Sequence, residues 1–260
     1  MALEVPPDRE RFVPDASLSR TEMEELQRDL AEVARFEDDF EFDPERVGTT
    51  SGPLVAGVDQ AFLTNEDPER VVSAVVVLRG DAVVERVHAV TTLSIPYTPG
   101  LLTFREGESI LAALAELETD PDLLLFDGSG RIHFREAGLA THTGVLVDYP
   151  SVGVAKSLLC GDPREPVDEL PEGARVAIEA DGRMEGVEHG TVVGYAYQSR
   201  QYPDSKRINP LYISPGHRVA AGTAVDLVER SGGEYKLPEP TRLADAYADE
   251  VKREIQGRNR

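Results

Sequence analysis

The sequence predicts an α/β fold in which a single mixed sheet is flanked by helices. Apolar runs at 54–63, 71–78 and 83–95 have the length and turn boundaries of strands, and a turn at Gly80 joins the last two into a hairpin. Helical and strand-like patterns then alternate along the chain, as in parallel strands joined by crossover helices. Three antiparallel strands that continue into such crossovers form one mixed sheet, and no linker divides the 260 residues.

Helices are predicted around these strands and at both ends of the chain. The helix at 105–117 carries apolar side chains at core spacing, with Thr103 as its expected cap and Glu106 in its first turn. Residues 1–17, which are rich in proline and charge, are expected to be flexible. The remaining strands are expected at 123–126, 151–154, 175–178, 190–197 and 211–214, and the remaining helices at 19–38, 138–147, 218–229 and 240–256.

The composition is strongly acidic, with 48 Asp and Glu residues against 27 Lys and Arg residues. Only four of the 27 are lysines. This balance is typical of proteins from salt-loving cells, whose carboxylates hold hydrated cations. In molar salt the Debye length falls to about 3 Å, so the acidity does not exclude nucleic acid as a partner. An acidic surface that avoids nucleic acid is the alternative interpretation of the composition alone.

Several classes of protein are excluded by simpler features. No apolar run approaches the roughly 20 residues that span a bilayer, so no membrane partner is expected. The N-terminal residues lack the apolar segment of a secretory signal, and a cytoplasmic protein is expected. The single cysteine, Cys160, cannot form an internal disulfide, and its leucine neighbours indicate a buried structural thiol.

Three carboxylates are candidates for a metal site. Asp59 interrupts an apolar strand, Asp127 follows directly after the strand at 123–126, and Glu106 begins a crossover helix. Each has an ordinary explanation by itself: an ion pair, a loop cap or a favourable helix-dipole interaction. Together they can meet at the sheet edge where open α/β sheets bind ligands. Carboxylate oxygens that leave several waters in place suit Mg²⁺ or Mn²⁺ beside phosphate.

Basic side chains near Asp127 add to this pattern. Arg131 and His133 follow within six residues, and Lys156 lies further along the chain. Cations that bind phosphate and a histidine that moves protons indicate phosphodiester chemistry. A loop or structural role remains the alternative for each of them. No cluster of cysteines and histidines is present, so zinc is not expected.

Several segments of the chain carry a combined pattern: VAGVDQAF at 55–62, PYTPGLLTFREG at 96–107, the stretch 121–161, NPLYISPGHR at 209–218 and LPEPTRLAD at 237–245. Together they resemble the endonuclease V family, deoxyinosine-directed repair nucleases with a ribonuclease H-like fold. This resemblance implies that Asp59 and Asp127 bind Mg²⁺ directly, that Mn²⁺ can substitute, and that Glu106 completes the site.

The same resemblance assigns roles to basic side chains. It implies that Lys156 faces the scissile phosphate and that His217, in the SPGH segment, is the fourth active-site residue beside metal and phosphate. It also implies that His133 lies near this centre. Taken alone, a histidine at the predicted start of a helix, as His217 is, has a structural role as its simpler interpretation.

Lesion recognition is also implied. Tyr97 stands between two prolines that restrict its backbone, and in the family this segment is the wedge that separates the strands. A buried turn aromatic is the alternative. Thr98 stands where isoleucine is usual, and Ser129 where histidine is common. The implied pocket for the flipped base is formed by Gly100, Leu102, Gly128, Gly138, Gly153 and Leu159.

The expected function is therefore that of a Mg²⁺-dependent monomeric endonuclease. The family cuts the second phosphodiester bond 3′ to deoxyinosine in DNA and leaves 3′-hydroxyl and 5′-phosphate ends. Two alternatives remain open at this point. One is an inosine-specific ribonuclease that acts on RNA. The other is a non-catalytic module that binds lesions.

Overall fold

The computed structural model describes residues 3–64, 67–202 and 208–258. Within these ranges one sheet contains nine strands in the order β3-β2-β1-β4-β5-β9-β8-β7-β6. The strands are β1 (Val55–Leu63), β2 (Arg70–Arg79), β3 (Ala82–Thr92), β4 (Leu123–Phe126), β5 (Ser151–Ala155), β6 (Asp162–Pro163), β7 (Arg175–Glu179), β8 (Val192–Tyr197) and β9 (Leu211–His217). The helices are α1 (Arg20–Val33), α2 (Leu102–Ala115), α3 (Leu139–Val147), α4 (Ala221–Arg230) and α5 (Glu239–Arg258).

The sheet is mixed, which confirms the predicted fold class. β1, β2 and β3 form an antiparallel meander, and β4 and β5 then add in parallel beside β1. The remaining strands pair in antiparallel fashion from β5 through β9, β8 and β7 to β6. The carboxyl ends of β1, β4 and β5 therefore lie at one edge of the sheet.

β4 shows why a continuous apolar run forms a central strand. Alternate side chains point to opposite faces of a sheet, and both faces of β4 are covered. Leu124 and Phe126 pack with α2 and α3, whereas Leu123 and Leu125 pack with α4. All four are fully buried, which explains the absence of polar alternation in this segment.

Helix α5 crosses β1 and β2 at close range. A Cβ atom added to Gly57 of β1 would overlap the backbone carbonyl of Pro240 at the start of α5. Ala248 and Val251, further along α5, pack against β1 and β2. None of the described helices is long and apolar enough to cross a lipid bilayer.

Several element boundaries differ from those predicted. Helix α1 is capped by Ser19 in a capping box with Glu22, but it ends at Val33 instead of reaching 38. Helix α2 begins three residues before the predicted start, so Thr103 lies inside the helix and does not cap it, and Glu106 lies beyond the first turn.

Two other segments are more ordered than the sequence indicated. β9 continues through Pro215 to His217, where pairing with β5 keeps the chain extended, and α4 starts only at Ala221. In the N-terminal segment, Leu3 and Phe12 are buried against the core although residues 1–17 were expected to be flexible. The two-residue strand β6 was not predicted and is too short to leave a pattern.

Candidate active site

Asp59 and Asp127 lie side by side at the carboxyl edge of β1 and β4. Val58 and Phe126 are paired in the parallel register, so each aspartate follows the same rung of the sheet. The backbone N–H of Asp127 donates a hydrogen bond of 3.1 Å to the carbonyl of Val58. The structure thus brings together the two carboxylates that the sequence predicts as direct metal ligands.

A third carboxylate, Asp245 of α5, joins them. Its carboxyl group lies close to that of Asp59, and beside the effect of burial it adds to the raised pKa values of Asp59 and Asp127. The close approach of α5 to β1 at Gly57 makes this contact possible. Sequence reasoning missed Asp245 as a site residue. The signal was present, because Asp245 ends the LPEPTRLAD segment at 237–245.

Glu106 of α2 is the fourth acid at this edge and is only 4% exposed. Burial raises its pKa to about 7, with Arg105 acting against the rise and Asp127 adding to it. Burial also raises the pKa of Asp59 to about 8, assisted by the charge of Asp127. The raised values mean that burial disfavours the charged form of both carboxyl groups, and a bound cation would favour it again.

Lys156 supplies the counter-charge on the opposite side. It follows β5, and its Nζ donates a hydrogen bond to Oδ2 of Asp127. Burial lowers the pKa of Lys156, but the bond to Asp127 outweighs that effect and the net pKa is raised. About half of the Lys156 side chain remains exposed, so its ammonium group can also reach a phosphate.

The donor set suits a hard divalent cation. Asp59, Glu106, Asp127 and Asp245 offer only oxygens, and a 2+ ion would offset the cost of burying negative charge at Asp59 and Glu106. In the described part of the chain no three acidic, histidine or cysteine side chains surround one common point. One oxygen of Asp127 is bonded to Lys156.

A cavity of about 270 Å³ opens beside these acids. Its volume lies just below the usual range for small-molecule sites and suits a single base. It is bounded by the turn after Pro96, the glycine loop after β4, the start of α3 and the end of β5. The predicted residues that line it are Tyr97, Gly100, Leu102, Gly128, Gly138 and Leu159, together with Asp127 and Lys156.

The endonuclease V family model matches residues 39–246, most of the chain, including the acids and the cavity. The chain belongs to the endonuclease V family. An endonuclease V of Natronomonas pharaonis is 66% identical over 242 residues, which cover 93% of this chain and 95% of that protein. One from Halobacterium salinarum is 55% identical over 94% of this chain and 98% of that protein. Both relatives come from halophilic archaea, as the acidic composition predicts.

Solved endonuclease V structures share the fold. The Bacillus subtilis enzyme aligns with a TM-score of 0.78 and 29% identity over 95% of this chain and 98% of its own. The catalytic domain of human endonuclease V aligns with a TM-score of 0.75 and 32% identity over 91% and 97%. The ribonuclease H-like fold is therefore confirmed, and the protein is a nuclease of a family that requires a divalent metal.

His217 does not lie where the endonuclease V resemblance was taken to place it. It pairs with Ser151 at the amino end of β5, roughly 16 Å of strand from Lys156 at the other end. Its Nδ1 accepts from the backbone N–H of Arg35 at 3.1 Å, and its Nε2 bonds to Asp148 at 3.0 Å. The predicted position of His217 beside the acids is therefore wrong. Asp245 is the side chain that joins Asp59 and Asp127 there.

His133 lines the endonuclease V cavity but is not arranged to transfer protons. Its Nδ1 accepts from the backbone N–H of Arg135 at 3.2 Å, and its Nε2 bonds to the carbonyl of Gly100 at 3.1 Å. Burial, reinforced by Arg135, lowers the pKa of His133 to about 3. Arg131 is also committed elsewhere, since its Nε donates to Glu136 at 2.6 Å. His133 thus supports the cavity wall, whereas Arg131 does not line the cavity.

Three further expectations concern Tyr97, Gly153 and Ser129 and their positions relative to the cavity. Tyr97 is 67% exposed at the cavity mouth, which excludes the buried-turn alternative. Gly153 does not line the cavity, since a Cβ atom there would overlap the backbone of Gly128 and Gly130. Its lack of a side chain lets the glycine loop fold against β5. Ser129 lines the cavity, where its small side chain leaves room.

Proposed function

We propose that this protein nicks DNA at the second phosphodiester bond 3′ to deoxyinosine and leaves 3′-hydroxyl and 5′-phosphate ends. The observation that carries the proposal is that a base-sized cavity adjoins the cluster of carboxylates, since Asp127 and its partner Lys156 line the cavity. An endonuclease V of Ciona intestinalis, 26% identical with a TM-score of 0.71 over 90% of this chain and 98% of its own, was solved with DNA that contains inosine.

Recognition begins with Tyr97. A rigidly presented, exposed aromatic can enter a base stack and stabilise the gap that a displaced base leaves. The deoxyinosine base would then occupy the adjacent cavity. The narrow glycine-lined walls allow backbone N–H and carbonyl groups to approach the edge of hypoxanthine.

The carboxylates Asp59, Asp127, Glu106 and Asp245 would hold Mg²⁺, with Mn²⁺ as a substitute. Bound there, such an ion supplies an activated water and stabilises the leaving oxygen. Lys156 orients the scissile phosphate, because its half-exposed ammonium can exchange Asp127 for a phosphate oxygen.

Nicking of matched oligonucleotides tests the proposal. Strands that carry one deoxyinosine, one inosine or neither are incubated with Mg²⁺ in molar KCl. A single cut at the second linkage 3′ to deoxyinosine is expected. Tight lesion binding by folded protein without any cut under Mg²⁺ or Mn²⁺ would refute the nuclease role and favour a lesion-binding module.

RNA that contains inosine is the second candidate substrate. The DNA bound to the Ciona intestinalis protein has a ribo-adenosine directly after the inosine, so that relative accommodates a 2′-hydroxyl at this position. In the same assay, faster cutting of inosine in RNA than of deoxyinosine in DNA would favour this candidate.

A further inference from the structure

Gln27 of α1 connects two walls of the cavity through its side-chain amide. The residue is 1% exposed. Its Nε2 donates hydrogen bonds to the carbonyl of Gly100 at 2.9 Å and to that of Ala137 at 3.4 Å. Its Oε1 accepts from Nε of Arg135 at 2.8 Å. Both amide hydrogens are thus used by protein carbonyls, so Gln27 acts on the walls and has no donor left for a base.

The Gly100 carbonyl is the point where these interactions converge. Nε2 of His133 also bonds to it at 3.1 Å, and a terminal nitrogen of Arg135 reaches it at 3.5 Å. Since Nδ1 of His133 accepts from a backbone N–H, the proton of the neutral ring lies on Nε2. A buried carbonyl with several donors holds its backbone segment in one geometry.

That segment is the turn that presents Tyr97. The backbone N–H of Leu101 donates to the carbonyl of Thr98 at 3.0 Å, closing a four-residue turn. Pro99 in the second position and Gly100 in the third, with φ of +79°, are the residues that a type II turn requires. Tyr97 directly precedes this turn. Fixing the Gly100 carbonyl therefore fixes the direction of the exposed aromatic ring.

The anchor itself is rigid. Ser19 and Glu22 cap α1 in both directions, and Leu30, one turn after Gln27, is fully buried against Phe12 and Val145. Helix α1 precedes residues 39–246, so this support lies outside the part of the chain that the family model matches. The four carboxylates stand on β1, α2, α5 and the tip of β4, and none of them is a hydrogen-bond partner of Gln27.

We propose that Gln27 is a positioning residue for lesion recognition, which rests on the function proposed above. Together with Arg135 and His133 it holds the Tyr97 turn at a fixed distance from the opposite wall at Ala137. Loss of the amide bridge lets the turn move relative to the cavity without disturbing the metal-binding acids. Its effect is expected in substrate binding and not in the chemical step.

The variants Gln27→Leu and Gln27→Glu test the proposal. Leucine removes every hydrogen bond, whereas glutamate keeps an acceptor for Arg135 but loses the donors to Gly100 and Ala137. Both are expected to raise KM for a deoxyinosine duplex roughly tenfold, with kcat changed less than about twofold, because misplacement of a positioning group weakens productive binding. Unchanged KM in Gln27→Glu would overturn the bridging role.

Leu30→Ala is the matched control, since it loosens the same helix without touching the turn. It is expected to lower the unfolding midpoint and leave KM unchanged. An equal rise in KM would mean that general loosening of α1 is sufficient, and the proposal would fail. Two measurements in EDTA do not require cutting. The fluorescence anisotropy of a labelled duplex measures binding, and the fluorescence of 2-aminopurine beside the lesion measures unstacking at that position.

This design separates the two proposals. If the wild-type protein binds the lesion but does not cut, the nuclease proposal fails. The binding data still test the positioning role of Gln27. Suppose instead that the wild-type protein cuts, and that both Gln27 variants bind the duplex and raise the 2-aminopurine fluorescence as much as the wild type does. The positioning role of Gln27 then fails, and the nuclease proposal stands. Weaker binding together with weaker brightening in both variants, but not in Leu30→Ala, is the expected result.

Discussion

The carboxyl groups of Asp59 of β1 and Asp245 of α5 lie close together at one edge of the sheet. Burial raises the pKa of Asp59 to about 8, and the neighbouring Asp127 and Asp245 add to the rise. The last helix of the chain thus completes a site that begins on the first strand. Gly57 is what allows this, because any side chain there would push α5 away.

Asp245→Asn should lower the nicking rate at least about a hundredfold, because it removes one carboxylate from the metal-binding set. Folding stability should change little, since Asp245 is exposed and asparagine has the same shape. Single-turnover nicking across a Mg²⁺ titration measures the effect. Asp127→Asn should behave in the same way.

Asp249→Asn provides the control for that experiment. Asp249 is exposed on the same helix, one turn beyond Asp245. Its replacement removes the same charge and should leave the nicking rate unaltered. A wild-type rate in Asp245→Asn would remove this residue from the site.

His217→Ala should destabilise the fold but leave the chemical step intact. His217 is fully buried and bonds to Asp148 and to the backbone of Arg35. Loss of a buried hydrogen-bonded ring costs about 2–4 kcal/mol of unfolding free energy. Urea unfolding and single-turnover nicking, measured under conditions where the variant is folded, separate the two effects. A hundredfold loss of nicking in folded protein would restore His217 to the active site.

The strands were predictable because their patterns are local. Runs such as 123–126 are buried on both faces and stay apolar throughout, and the Gly80 turn fixes the first hairpin. Element boundaries that depend on tertiary pairing were not predictable from the sequence. β9 stays extended to His217 because β5 pairs with it, and a proline-glycine pair read in isolation indicates a turn.

The site was predictable only in part. Asp59 and Asp127 adjoin apolar strands, so their sequence context marks them. Asp245 lies on an exposed helix face, and although it ends the LPEPTRLAD segment, the packing of α5 over Gly57 is what places it beside Asp59. Gln27 is likewise an ordinary polar residue in the pattern of α1, and its partners lie far away along the chain.

Tyr97→Ala should weaken cutting of deoxyinosine in duplex DNA more than in single strands. The exposed ring is available to fill the gap in a base stack, and a single strand has no stack to open. Loss of such a stacking contact is worth about 1–3 kcal/mol, or roughly tenfold to a hundredfold in KM. The ratio of the two KM values is the measurement, and equal losses on both substrates would contradict the wedge.

The contribution of buried His142 to folding stability should fall as the pH drops from about 6.5 towards 4, because this histidine is neutral in the fold. Burial lowers the pKa of His142 to about 4. An unfolded histidine titrates near 6.5, so between these values the unfolded chain binds a proton that the folded chain does not. His142 therefore contributes stability that is complete above pH 6.5 and declines below it. Urea unfolding at pH 7.5 and pH 5 measures the change.

His142→Gln isolates this contribution from the carboxylates. Asp59 and Glu106 have raised pKa values and oppose the trend, because the folded state holds their protons between about pH 8 and pH 4. Glutamine can keep the bond that Nε2 of His142 makes to Phe12 at 2.8 Å. On full acidification, the free energy of unfolding of the variant should fall by about 3 kcal/mol less than that of the wild type. Parallel pH curves would refute the assignment.

Nicking should persist, and KM should fall, as KCl rises from about 0.1 M to about 1 M. The net charge of −21 repels DNA at low ionic strength, and the screening length shortens from about 10 Å to about 3 Å over this range. Proteins that neutralise many phosphates lose affinity with salt, but this site offers Lys156 and few other cations near the acids. Tetramethylammonium chloride at equal ionic strength is the control. A gain with both salts identifies screening, a gain with KCl alone identifies specific K⁺ binding, and loss of activity by about 0.5 M would contradict the halophilic adaptation.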